Sequence, residues 1–327
     1  MPDEKLLAKA ENKKLLDPKV LRAEVDRMLA DPRSDQFMNQ FTEQWLQLDV
    51  LENVAISRDY YPKFNSLLKK EMRGETQHFF AHLVRRNQSA LELLNSDYSM
   101  LNEPLAKHYG IEGVFGREFR KVKLPAELHR GGLLGHASIL ASNSTGSDSH
   151  AVRRAVWIRD RLLNDPPAPP PPDVPSLEKS DPKFHKLSIR EQLEIHRQRE
   201  ACASCHRNID PWGISLENFD AVGLWREKVR RKKGRRFESI PVNAVDTLPN
   251  GHRLDGADIL KQYLIDHRKD DFARSLVVRL MTYALGRRLE LSDQLAVDNI
   301  ASQFAKDNYR LGDLIKTIVT SETFQTK

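Results

Sequence analysis

Cysteine is almost missing from this chain, at 2 of 327 residues. That scarcity rules out a disulfide-built scaffold. It also argues against a structural zinc site, which needs four N/S ligands and finds no second cysteine pair or H-x3-5-H beside these two. No apolar run approaches the roughly 20 residues of a membrane helix, so no transmembrane segment is expected. The opening Met1–Lys14 is charged and lacks the apolar core of a signal peptide. Ser149 and His150 stand together, but without a G-x-S-x-G elbow they do not make a hydrolase nucleophile. Internal repeats are absent as well.

Against these absences stand an excess of charge and a set of helix signals. Charged residues make up 30% and hydrophobic ones 39%, enough length and apolar content for two domains or three small ones. The net charge is +6, and much of the excess sits in Arg226–Arg236, read as a basic loop. No aromatic interleaving or nucleic-acid fold signature accompanies that run, so nucleic acid is not expected; an acidic redox partner is.

Both cysteines fall in Cys202-Ala203-Ser204-Cys205-His206, the C-x-x-C-H pattern of covalent c-type haem attachment. Two thiols three residues apart reach the two vinyl groups of a porphyrin, and the adjacent imidazole becomes an axial ligand of iron. Chance assembly of the motif from 2 cysteines and 11 histidines is on the order of 1 in 5,000. A thioredoxin-like dithiol would need strand-like flanks, which are lacking. The expected cofactor is haem c, on Cys202, Cys205 and His206. Pro211, shortly after the motif, is the candidate for a backbone carbonyl that orients the imidazole.

Along the chain, Asp17-Pro18 and Asp31-Pro32 each pair an N-cap with proline and predict helix starts. Phe37, Phe41, Trp45 and Leu48 recur at helical spacing and read as core. Asp97 opens a predicted helix ending at Gly110, residues 111–128 read as irregular, and Ser188 starts an amphipathic helix leading to the haem motif. Asp165 to Val174-Pro175 is a proline-rich strap expected in polyproline II. Asn250-Gly251, between Ile240–Val245 and Arg253, predicts one small β-hairpin. The expected fold is mainly α, a helical multi-layer assembly with a cytochrome c-like haem site. Its expected domains are a helical one over 1–125, a haem domain over 126–236 holding the strap 165–175, and a C-terminal helical domain over 237–327.

Cys202–Arg226, read as C-A-S-C-H-x-x-I-D-P-x-G-x-x-L-E-N-F-D-x-x-G-x-W-R, resembles the haem-bearing domain of planctomycete-type cytochrome c proteins built from several domains of unknown function. Arg130-Gly-Gly-Leu-Leu-Gly-His136-Ala-Ser-Ile-Leu140 is similar to the upstream half of that domain. Thr282-Tyr283-Ala-Leu-Gly-Arg287 is similar to the C-terminal domain of such proteins. Phe41-x-x-x-Trp45-Leu46 and Leu101-Asn102 through His108-Tyr109-Gly110 resemble the preceding one. The chain departs from the pattern where the family runs T-S-P-V-x-R-G and residues 149–155 read S-H-A-V-R-R-A. Haem c is attached outside the bacterial cytoplasm, so a periplasmic or otherwise exported protein is expected; the resemblance implies a chain start internal to a longer polypeptide, so that upstream domains or a redox partner protein are the expected partners.

The sixth iron position separates two functions. A Met or His there suits electron transfer, whereas an open position permits peroxidase-like or substrate-oxidising chemistry. His136, upstream in the same domain, and Met281, the only methionine after His206, are the candidates. Arg226 and Arg287 are candidate propionate partners through bidentate pairing, with Tyr283 as a hydrogen-bonding neighbour. The expected role is electron transfer, as an oxidoreductase or its redox module. A haem that only holds the fold together is the third class.

Overall fold

The computed structural model describes residues 2–169, 187–198, 200–233 and 236–326. The fold is mainly helical, 57% helix, with small antiparallel sheets. Helices α1 (Glu4–Glu11), α2 (Pro18–Ala30), α3 (Ser34–Leu46), α4 (Val50–Asn53) and α5 (Leu68–Arg85) open the chain. Asp17 caps α2 by accepting from the Lys19 N–H at 2.8 Å, and Pro18 occupies the first turn, where its missing N–H costs nothing. Strand β1 (Tyr98–Leu101), α6 (Glu103–Tyr109), β2 (Arg120–Lys123), α7 (Ala137–Ser142) and α8 (Ala151–Trp157) follow. Next come α9 (Ile189–His196) and α10 (Glu200–Ile214), then β3 (Lys228–Lys233), β4 (Arg236–Pro241), β5 (Val245–Thr247) and β6 (Arg253–Asp255). Helices α11 (Gly256–His267), α12 (Lys269–Leu285), α13 (Gln294–Lys306), α14 (Leu311–Val319) and α15 (Glu322–Gln325) finish it.

Among the described residues there are three two-stranded sheets, not the single hairpin expected. The Asn250-Gly251 hairpin is there as β5–β6, with Gly251 at φ 85. The predicted helix from Asp97 instead begins as β1, and the stretch read as irregular supplies its partner β2. Tyr98, Ser99 and Leu101 are buried, so packing on both faces overrides the local helix signals; the helix proper waits for Asn102, whose side chain caps Leu105. The basic run is a strand as well: β3 pairs with β4, Lys228 opposite Pro241 and Val229 opposite Ile240. Val229 and Arg231 point inward and Lys228 and Arg230 outward, the alternation of a half-buried strand. Residues 170–175 of the strap, and Gly234 and Arg235 of the basic run, lie outside the described residues.

The chain divides into two compact units, each assembled from separate stretches. One comprises Met1–Trp45, Gln77–Glu92 and Lys269–Lys327; the other comprises Leu46–Thr76 and Leu93–Arg268. The core of the first is aromatic. Phe41 lies 5.5 Å from Trp45, 5.3 Å from Phe80 and 5.6 Å from Tyr283, centroid to centroid. The second is organised around Leu101, Leu105, Tyr109 and Ala137, with a smaller cluster of Ala151, Leu193 and Ile214 that joins α8, α9 and α10.

That smaller cluster seats the haem motif. At Gly213 an added Cβ would stand 1.8 Å from the Ala151 carbonyl oxygen, so only glycine lets α10 approach α8 this closely. The Ser188 side chain and Glu191 form a reciprocal capping box at the start of α9, which fixes where the chain turns toward α10.

Candidate functional site

Helix α10 carries the five-residue motif in its first half. Cys202 is half-buried and Cys205 exposed, and both are free thiols. Three residues apart on a helix, they share one side, with His206 adjacent. The His206 Nδ1 lies 2.9 Å from Oδ1 of Asp210, four residues on. Asp210 is fully enclosed, and its other oxygen accepts from Arg197 Nε at 2.8 Å. Arg197, just past α9, reaches on to Asp246 of β5 at 2.6 Å. Burial pulls the Arg197 guanidinium down, but hydrogen bonds to Asp246 and Asp210 more than offset it and hold it above its ordinary value. On the ring's other flank, His196 packs at 4.6 Å between centroids and 74° between planes.

Pro211 sits inside α10 and withholds one helical N–H. Its carbonyl accepts from the Ser215 hydroxyl at 2.7 Å; the imidazole's partner is the neighbouring carboxylate. The sequence pointed to Pro211, and Asp210 went unnoticed, although its place four residues after His206 on a helix was a signal that could have found it; Arg197, His196 and Asp246 come from other elements and gave no local signal.

A cleft of about 420 Å³ opens beside Cys205, lined also by Ile209, Trp212, Tyr263, Arg159 and Arg268. The described start of the strap, Asp165–Ala168, lines the same cleft. Arg159 is paired to Asp165 at 2.7 Å, and Arg268 lies over the Trp212 ring at 5.8 Å. Among the described residues, these two guanidiniums border the cleft.

The remaining candidates lie elsewhere. Arg226 is engaged in a buried ionic hub: it bonds Asp148 at 2.7 Å, the Ser149 hydroxyl at 2.6 Å and Glu217 at 3.3 Å. Arg231 closes on the same Asp148. Burial pushes the Glu217 carboxyl up, whereas for Asp148 the Arg226 and Arg231 charges outweigh burial and hold it down. Arg154, fully buried, donates to the carbonyls of Leu216 and Phe219 at 2.8 and 2.7 Å and of Asp220 at 2.8 Å. Burial lowers its pKa to about 10. The L-E-N-F-D half of the motif is therefore a loop pinned by a buried guanidinium.

His136 is enclosed in the same unit as α10, with Nδ1 at 3.0 Å from the Thr76 hydroxyl, and burial lowers its pKa. Met281, Tyr283 and Arg287 belong to the other unit. Met281 is buried in α12, Tyr283 joins the aromatic core, and Arg287 pairs with Asp293 at 2.7 Å.

The donor set fits a haem c: two free thiols on one side of a helix, and an imidazole whose Nδ1 is occupied by a buried carboxylate, which leaves Nε2 the nitrogen that could take a metal. A helical protein bearing a C-x-x-C-H helix is the class that fold and site define. Residues 1–111 match a family model described as a protein of unknown function (DUF1592), residues 130–229 one so described (DUF1588), and residues 250–324 a third (DUF1585). This is the domain set found in planctomycete cytochrome c-type proteins. No curated protein and no solved structure matches the chain. No helix among the described residues is long and apolar enough to cross a membrane.

Proposed function

We propose that this chain holds a covalent haem c on α10 and transfers electrons, as the redox module of a larger exported protein. The observation that carries the reading is the pairing of two free thiols one turn apart with an imidazole tied back by its Nδ1 to Asp210. Cys202 and Cys205 would hold the group through thioether bonds, and His206 through Nε2. A haem bound there supplies one-electron iron chemistry. Arg159 and Arg268, rather than Arg226 and Arg287, stand beside the cleft at Cys205, where a guanidinium could also meet a propionate. The exposed cations of the β3–β4 hairpin offer an acidic redox partner a docking face.

A second reading, a haem enzyme with an open distal position, is favoured by the settings of the two sixth-ligand candidates. His136 is enclosed, with its Nδ1 against the Thr76 hydroxyl, and Met281 is buried within α12. Carbon monoxide separates the readings, because an open ferrous iron takes it up and a capped one resists it.

The deciding experiment is a pyridine-haemochrome spectrum of the chain exported with a cytochrome c maturation system. The denatured protein is expected to keep its haem with a c-type band. A protein that emerges without haem would return the two thiols to the metal or dithiol readings.

A further inference from the structure

We infer that Asp210 is a positioning residue for His206: its buried carboxylate holds the imidazole as the Nδ1–H tautomer and biases the iron toward the ferric state. The inference rests on the haem reading of α10. The simplest acceptor for an imidazole in this segment would be a neutral backbone carbonyl, but that of Pro211 accepts from both the hydroxyl and the N–H of Ser215, at 2.7 and 3.4 Å. His206 meets a carboxylate instead, at 2.9 Å. The carboxylate is 0% exposed and cannot swing away, because Arg197 grips its second oxygen at 2.8 Å and is itself held by Asp246 at 2.6 Å. His206, Asp210, Arg197 and Asp246 thus form one line from α10 past the end of α9 to β5.

Three consequences follow from the geometry. An acceptor-only carboxylate on Nδ1 requires the proton there, which leaves Nε2 with a lone pair for a metal. A buried hydrogen-bond partner also fixes the ring orientation, and with it the direction of that lone pair. A negative charge fixed in a water-excluded site also stabilises the more positive oxidation state of a nearby iron. Arg197 moderates the last effect, but Asp246 in turn offsets Arg197.

The test is the full, haem-loaded chain with Asp210→Asn, which keeps the volume and an acceptor oxygen but removes the charge. At a fixed ambient potential the ferric-to-ferrous ratio is expected to fall about tenfold, 59 mV for a one-electron couple. A variant that keeps its c-type band and shows an unchanged ratio overturns the inference; a purely structural role for Asp210 would leave the ratio alone. Should D210N fail to fold, the full chain with Cys202→Ser and Cys205→Ser, Asp210 intact, provides the second reading. Nitrogen-15 spectra of the His206 ring at mildly alkaline pH are expected to show a protonated Nδ1 and a bare Nε2. The reverse tautomer overturns the inference. If the unsubstituted chain carries no haem, the haem reading falls by itself, while the ring spectrum still decides what Asp210 does.

Discussion

The segment from Cys202 to Arg226 is built on two opposite principles. Its first half presents reactive groups at the edge of α10: an exposed thiol, a half-buried thiol, and an imidazole steadied from behind. Its second half exposes almost nothing that could react. Glu217 and Asp220 are buried, and their charges are absorbed by Arg226, Arg154 and backbone N–H groups. The contrast shows that one continuous motif can present free thiols and an imidazole at one end and be scaffold at the other. A charged residue in the scaffold half is no evidence of a ligand.

Four variants sharpen that contrast. The largest effect is expected at Arg226→Met, which leaves Asp148 and Glu217 buried without their shared cation. Losing one partner of such a pair costs about 3–5 kcal/mol, read as a lower urea midpoint, while the c-type band persists. Loss of the band with stability intact would move Arg226 to the reactive half. Next is Gly213→Ala, where a Cβ meets the Ala151 carbonyl at 1.8 Å. Because the obstacle is backbone, we expect about 3 kcal/mol of destabilisation, the upper end for overpacking, by the same measurement.

The third concerns pH. His108 donates from Nε2 to the Val222 carbonyl at 2.9 Å, inside the scaffold half, and burial lowers its pKa to about 4. The unfolded chain therefore takes up a proton near the ordinary histidine value of about 6.5 while the folded one does not, and stability falls as pH drops from there toward about 4. Between about pH 7.5 and about pH 5 this group alone removes about 2 kcal/mol. His108→Gln keeps a donor for Val222 and should lose about 2 kcal/mol less than the unsubstituted protein over that interval; equal losses would show that His108 does not carry the acid sensitivity. The smallest effect is expected beyond the scaffold half, on β3. Reversing Lys228 and Arg230, which face outward, should flatten the salt dependence of electron transfer to an acidic partner by a factor of a few.

Much of this was legible in the residues. Local rules act over one turn: Asp17-Pro18 starts α2, Ser188 starts α9, and Asn250-Gly251 turns β5 into β6. The C-x-x-C-H spacing needs no more than a single turn to bring its groups together. The β3–β4 hairpin was not legible, because a run of cations resembles a solvated loop until Arg231 finds Asp148, some eighty residues earlier. The β1–β2 pair escaped for the same reason: burial of Tyr98 and Leu101 by distant elements decided between strand and helix.

The amino-acid sequence by itself determined the starts of α2 and α9, which residues form the C-x-x-C-H motif, and the aromatic stripe Phe37, Phe41 and Trp45, since each depends on neighbours within a few residues. Only the tertiary structure decided what stands behind His206. A buried carboxylate persists only when cations and dipoles from other parts of the fold surround it; here Arg197 and β5 supply them, and that assembly chose Asp210 rather than the carbonyl of Pro211.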